Sequence, residues 1–248
     1  MLPTNEAVGK VPNDETYAFV KRYATAILDT KKEQGLVNLI RDWDDFTGML
    51  AINKERDLIV ELYRNVKENL ATSLSNFEEN IFKSDEDVVL TALCQEYERR
   101  VAQKRKTRAG KDLESSIEFI FNYFGIQTGG KPKHFTAGLE IDNWVETKNG
   151  WYIGVTLKRT LRERWKQTYT TDDKIYVQHK ISKILWVISD DSDLSEQKIS
   201  ELVSYRHIFF IPDNSRVLRN LCSHPNIGKY LFPITELVTQ VQQLIETC

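Results

Sequence analysis

The residues best suited to chemistry lie on either side of the turn TKNG: Glu140 and Asp142 before it, Thr156 and Lys158 after it. Two carboxylates and a lysine at the edge of one sheet have a defined use. Carboxylate oxygens hold Mg²⁺, which binds a phosphate and lowers the pKa of a bound water. An ammonium beside them orients that water or neutralises charge developing on the phosphate. A solvent-exposed hairpin face with incidental salt bridges would use the same residue types. Directly after Lys158 comes RTLRERWKQ, in which Glu163 is wedged between Arg162 and Arg164. A solvated face spreads its charges, whereas this run follows straight on an apolar strand. The plain alternative is an amphipathic helix with surface ion pairs.

The elements that must position these residues follow from the turn. A two-residue Asn149-Gly150 loop would mix polar and apolar side chains on both faces of the hairpin. A three-residue loop, Lys148-Asn149-Gly150 with Gly150 left-handed, pairs Ile141 with Leu157, Asn143 with Val155 and Val145 with Ile153. It gathers Glu140, Asp142, Thr156 and Lys158 on the other face. A one-residue slip turns every side chain over, so burial selects the register that sorts the faces. Upstream, DLESSIEFIFNYF sets Leu113, Ile117, Ile120, Phe121 and Phe124 on one helical stripe. Glu114 stands at its margin, near the core edge, where a carboxylate usually has a partner.

The rest of the chain sets bounds. At 248 residues, with 41% hydrophobic and 28% charged residues, it is an ordinary globular sequence able to bury a sizeable core. A net charge of -2 gives no global signal for nucleic acid, so DNA binding would rest on local clusters. Such a cluster is VAQKRKTRAGK, with Lys104, Arg105, Lys106, Arg108 and Lys111 around one glycine, which reads as a basic connector. Cys94, Cys222 and Cys248 form no CxxC pair and the histidines show no ligand spacing, which points to a reducing cytoplasm. No apolar run approaches the ~20 residues of a membrane span, and the start MLPTNEAVGK is not expected to be a signal peptide.

Residues 1 to about 14 read as a mobile start, and the pattern is helical from Tyr17 to about Arg100. From Asp112 the chain is mixed, with strands LEIDNWVE, WYIGVTLK, KILWVIS and HIFFIP. Helices are expected near LRERWKQ, over LSEQKISELVS and over ITELVTQVQQLIE. The expected organisation is a helical region, 1–100, followed by an α/β (α+β) core, 101–248.

RAGKDLE, the Asp142 strand and VTLKRTLRERWKQ together resemble the PD-(D/E)XK type II restriction endonucleases. Within these the chain is most similar to the EcoRII/SsoII-like lineage, which cuts palindromes containing CC and GG. The resemblance spans roughly residues 104–212. It implies a restriction-endonuclease-like core, a mixed sheet flanked by helices, and Mg²⁺-dependent cleavage of double-stranded DNA leaving 5′-phosphate and 3′-hydroxyl ends. It implies a homodimer in a bacterial or archaeal cell whose cognate DNA methyltransferase acts on the same site. Asp142 matches the metal-binding aspartate, Lys158 the catalytic lysine, and Glu114 a glutamate of the preceding helix. Arg162-Glu163-Arg164 matches the triplet that reads consecutive G·C pairs, with Arg on guanine O6 and N7 and Glu on cytosine N4.

The match departs from the family at three places. Ile141 replaces the proline before the aspartate, and Thr156 replaces the first acid of the (D/E)XK triad. In this lineage the second acid comes thirteen residues after the lysine, which is Thr171 here, followed by Asp172 and Asp173. Asp172 and Glu140 both stand as the second metal ligand. A repair or structure-specific PD-(D/E)XK nuclease and an inactive DNA-binding module are the competing readings. The N-terminal region is assigned to embracing DNA or to dimerisation. Trp43 could stack on a flipped base, but core packing is the role favoured for it.

Overall fold

A computed structural model describes residues 3–11, 17–74, 83–132, 135, 139, 141–161 and 173–247. Helices α1 (Pro3–Gly9), α2 (Tyr17–Lys31), α3 (Leu36–Leu74) and α4 (Lys83–Tyr123) come first. The start of the chain therefore carries a helix where a mobile segment is expected. Two compact units result: Met1–Val20 with Asp44–Lys111, and Lys21–Trp43 with Asp112–Cys248. Among the described residues no helix is long and apolar enough to cross a membrane.

The first unit is held by Ala7, Val11, Ala51, Leu58, Leu62, Tyr97 and Val101. Tyr97 is 1% exposed, and its hydroxyl donates to the Glu55 carbonyl at 2.8 Å. Burial pushes its phenol up to about 12. The run 101–111, expected as a connector, is instead the middle of α4. Lys, Arg, Gln and Ala are good helix formers, and one glycine costs only about 1 kcal/mol against alanine. Arg105 and Arg108 also have a partner across the unit, the buried Glu55 carboxylate, at 2.6 and 3.7 Å.

The second unit is built on a mixed sheet in the order β1 (Asn143–Glu146), β2 (Tyr152–Lys158), β3 (Ile181–Ile188), β4 (His207–Ile211) and β5 (Leu231–Pro233). β1 and β2 are antiparallel, and the remaining pairs are parallel. Parallel strands are covered on both faces, which is why β2, β3 and β4 read as nearly unbroken apolar runs. Helices α5 (Asp173–Gln178), α6 (Glu196–Val203) and α7 (Arg216–Leu221) lie in the crossovers, and α8 (Leu237–Thr247) ends the described chain. One core layer joins Trp144, Trp186, Phe209 and Leu231 of the sheet to Tyr176 of α5 and to Ile199 and Leu202 of α6. Residues of the opposite face, Ile153, Val155, Leu185, Val187 and Phe210, are buried as well. The α4 stripe Leu113, Ile117, Ile120 and Phe121 is buried as its spacing predicts. β5, α5 and α7 were not foreseen, and all three are short enough to carry no periodic signal.

Candidate active site

The hairpin sets the site. Asn143 pairs with Val155 and Val145 with Ile153, the register of the three-residue loop. Gly150 has φ +72°, a left-handed conformation that side chains rarely adopt, and its N–H donates to the Thr147 carbonyl at 3.0 Å. Lys148 ties the loop to α8, its N–H donating to Ile245 O at 3.0 Å and its ammonium meeting Glu246 at 2.5 Å. At the other end Asp142 precedes β1 and Lys158 closes β2, so antiparallel pairing brings the two together.

Asp142 Oδ2 accepts the Leu157 N–H at 2.7 Å and lies 3.4 Å from Lys158 Nζ. Both side chains are part-exposed, 18% and 31%, so they are held yet reachable. The strand end beneath them is pinned to the neighbouring strand's exit. Ser189 N–H donates to Lys158 O at 3.2 Å, and Asp190 N–H to Arg159 O at 2.8 Å. Carboxyl ends of parallel strands are where α/β sheets commonly place ligands.

The polar face expected for the hairpin is only partly polar. Thr156 is 0% exposed and pairs in register with Trp186. That face is core through Trp144 and Trp186, and among the described residues its charged groups, Asp142 and Lys158, stand at the edge. The hairpin face is therefore buried through its middle and not solvent-exposed along its length.

A cavity of about 490 Å³ opens at this edge, lined by Gly129, Gly130, Lys131, Phe135, Ile141, Asp142 and Trp144, among others. Gly129 N–H donates to Trp144 O at 2.7 Å, which brings the glycine pair against β1. Lys131 lies with its Nζ 4.8 Å from the Phe135 ring centroid. These residues were missed in the sequence. The Gly-Gly-Lys-Pro run is a turn signal, but nothing local says which strand the turn folds against.

The other site candidates fall as follows. Glu114 is exposed on α4. Lys104 is turned inward, donating to Val8 O at 2.7 Å and Val11 O at 2.6 Å, and burial holds its pKa below the usual lysine range. Arg105 and Arg108 are engaged by Glu55, as described, whereas Lys106 and Lys111 are exposed. Trp43 is core, 1% exposed with its ring 5.5 Å from that of Phe119, which leaves no face for a base. Glu140, Arg162, Glu163, Arg164, Thr171 and Asp172 lie outside the described residues, as does the helix expected near LRERWKQ.

Downstream of that segment, α5 is anchored to the sheet through a buried polar chain. Trp186 Nε1–H donates to His207 Nδ1 at 2.5 Å, and His207 Nε2 lies 3.1 Å from the Tyr176 hydroxyl. An indole N–H can only donate, so Nδ1 accepts and the ring proton sits on Nε2, aimed at Tyr176. Burial pushes the Tyr176 phenol up. Asp173, at the start of α5, pairs with Arg206 at 2.7 Å.

The chemistry of the donors can be matched to the implied Mg²⁺. Among the described residues no three His, Cys, Asp or Glu side chains gather as a complete cage. Mg²⁺ does not need one, since it keeps waters and takes one or two carboxylates together with substrate phosphates. A hard carboxylate oriented by a backbone N–H, beside an ammonium and a cavity, fits that habit.

Neither a protein-family model nor a curated protein sequence matches the chain. Among solved structures it is similar to a restriction endonuclease PspGI in complex with substrate DNA, with a TM-score of 0.61 and 16% sequence identity, covering 99% of this chain and 93% of that one. At this identity the likeness carries the fold. It is a restriction-endonuclease-like fold, with a mixed five-stranded sheet, flanking helices and a helical N-terminal region.

Proposed function

We propose that the chain is a type II restriction endonuclease, a Mg²⁺-dependent hydrolase of double-stranded DNA acting at a palindrome containing CC/GG. The observation that carries this reading is the Asp142–Lys158 pair, 3.4 Å apart at the carboxyl end of β2, on a fold similar to that of an endonuclease solved with substrate DNA. Asp142 would hold the metal with Asp172 or Glu140 as the second acid, and Glu114 completes the acidic candidates. Bound there, Mg²⁺ supplies Lewis acidity at the scissile phosphate and a water of lowered pKa.

The chain's own residues supply orientation and charge. Leu157 N–H fixes one oxygen of Asp142, so the carboxylate is preorganised before substrate arrives. Lys158 presents its ammonium beside the same oxygen, where it orients the attacking water and neutralises charge on the phosphate. Water adds to phosphorus and the 3′ oxygen leaves, giving 5′-phosphate and 3′-hydroxyl ends. Arg162, Glu163 and Arg164 follow β2 directly and would read consecutive G·C pairs from the major groove. Backbone contacts fall to the exposed Lys106 and Lys111, because Lys104, Arg105 and Arg108 already have partners within the first unit.

A palindrome implies two-fold symmetric protein on the DNA, hence a homodimer with one half-site and one strand for each subunit. Such an enzyme would work in the cytoplasm beside a methyltransferase that protects the same site. Incubating plasmid with the protein, with and without Mg²⁺, tests the reading. Discrete fragments that require the metal are expected. A smear or structure-dependent nicking would indicate a repair-type nuclease, and intact plasmid an inactive binding module. Within the site, Asp172→Asn set against Glu140→Gln identifies the second acid by which variant loses activity on the scale of Asp142→Asn.

A further inference from the structure

A glycine pair stands in the wall of the cavity beside Asp142 without the chain needing it there. Gly129 and Gly130 are exposed, and neither has the positive φ of Gly125 and Gly150, at +74° and +72°. A Cβ added at Gly130 meets nothing within 4 Å, and one added at Gly129 meets only Trp144 O at 3.9 Å. Neither backbone conformation nor packing therefore calls for a missing side chain at these two positions. Bare backbone at a cavity lets a ligand come close.

Lys131 follows directly, and its ammonium is held in place. Nζ lies 4.8 Å from the centroid of the Phe135 ring, within cation–π range. That ring is 6% exposed and packs edge-on against Trp144 of β1, at 5.1 Å, and against His179, at 5.0 Å. Trp144 is two residues beyond Asp142, so the same aromatic cluster backs both the ammonium and the carboxylate in the wall of one cavity. The cavity holds about 490 Å³. An Mg²⁺ with six waters takes roughly 180 Å³, at about 30 Å³ per water, so most of the space is left for a larger group.

We propose that Gly129, Gly130 and Lys131 cradle the sugar-phosphate backbone of the strand being cut, with Lys131 as a positioning residue for a phosphate beside the scissile one. A compact ammonium suits a phosphate as a point charge, and the two glycines leave room for the sugar. Lys131 touches no base in this role, so it contributes register and affinity without reading sequence. The inference rests on the nuclease reading of Asp142 and adds to it a subsite that holds the strand. It is separate from the contacts given to Lys106 and Lys111, which belong to the first unit.

Gel-shift titrations of the full chain, with a CC/GG duplex and a scrambled one and without Mg²⁺, test it alongside thermal melts. Lys131→Gln should weaken binding to both duplexes alike. Between about 50 and 200 mM salt its affinity should fall about threefold less than that of wild type, the share of one phosphate contact. Lys131→Arg should retain both properties. Lys229 stands in the same way 5.1 Å from the Tyr230 ring, at the far edge of the sheet, and Lys229→Gln should bind as wild type does. Gly130→Val should melt as wild type does, because its side chain enters open space, yet weaken binding to both duplexes and slow single-turnover cutting by at least about tenfold. An unchanged salt dependence in Lys131→Gln, a Gly130→Val variant that unfolds or binds like wild type, or a wild type that binds neither duplex would overturn the cradle. DNA that is bound with these variant effects but left intact by wild type and Mg²⁺ would refute the nuclease reading and retain the cradle.

Discussion

Asp142 does two things that different substitutions separate. It accepts the N–H of Leu157, a residue 6% exposed, and it brings negative charge beside Lys158. Asp142→Ala leaves that N–H buried without its acceptor, which costs about 1–3 kcal/mol. Losing a part-exposed ion pair adds roughly 0.2–1 kcal/mol. A destabilisation of about 1–4 kcal/mol follows. Asp142→Asn retains an oxygen for Leu157 N–H and gives up only the charge, so about 1 kcal/mol or less is expected. Urea unfolding should therefore rank Ala well below Asn. Metal-dependent cleavage should be lost in both, by at least about a hundredfold, because an amide is no substitute for a ligand carboxylate. If Asn cut DNA within a few-fold of wild type, the assignment of Asp142 to the metal would fail. If Ala were as stable as wild type, the role given to the Leu157 bond would fail.

Three other outcomes follow from the same structure. Arg162→Ala and Arg164→Ala should weaken binding to a CC/GG duplex and spare non-specific binding, whereas Lys106→Ala should weaken both and lower the salt dependence, as gel shifts at two salt concentrations would show. Gly150→Ala should cost about 1–2 kcal/mol through its φ of +72° alone, since an added Cβ meets nothing within 4 Å, and Gly110→Ala inside α4 should instead stabilise by about 1 kcal/mol in thermal or urea melts. The Tyr97 phenol, raised from 10.0 to about 12, binds its proton more tightly folded than unfolded. The stability it contributes is whole below pH 10 and is lost as pH rises through the window up to 12, about 1.4 kcal/mol between pH 8 and 11, and Tyr97→Phe should remove that decline.

What the sequence made legible was local. The sorting of apolar residues was enough to choose the three-residue loop over a two-residue Asn149-Gly150 turn, and hence to bring Asp142 to the end of the Lys158 strand. The helix stripe through Ile117 and Phe121 was legible in the same way. Long-range partners were not. Lys104, Arg105 and Arg108 read as a basic connector because their partners are distant in sequence: Lys104 reaches Val8 and Val11, 96 and 93 residues away, and Arg105 reaches Glu55, 50 residues away, which Arg108 shares. A charge run says nothing about a buried carboxylate on another helix. Thr156 is a similar case, since alternation placed it on the polar face while the parallel register with Trp186 buried it. The wall of the cavity at Gly129 and Lys131 depended on a chain reversal no pattern specifies.

The most direct test of the central claim is to digest a plasmid of known sequence with the protein and Mg²⁺ and to sequence the fragment ends. Every end should map to one palindrome containing CC/GG, carry a 5′-phosphate, and disappear with Lys158→Ala. Ends scattered without a common sequence, or unchanged cutting by Lys158→Ala, would contradict it.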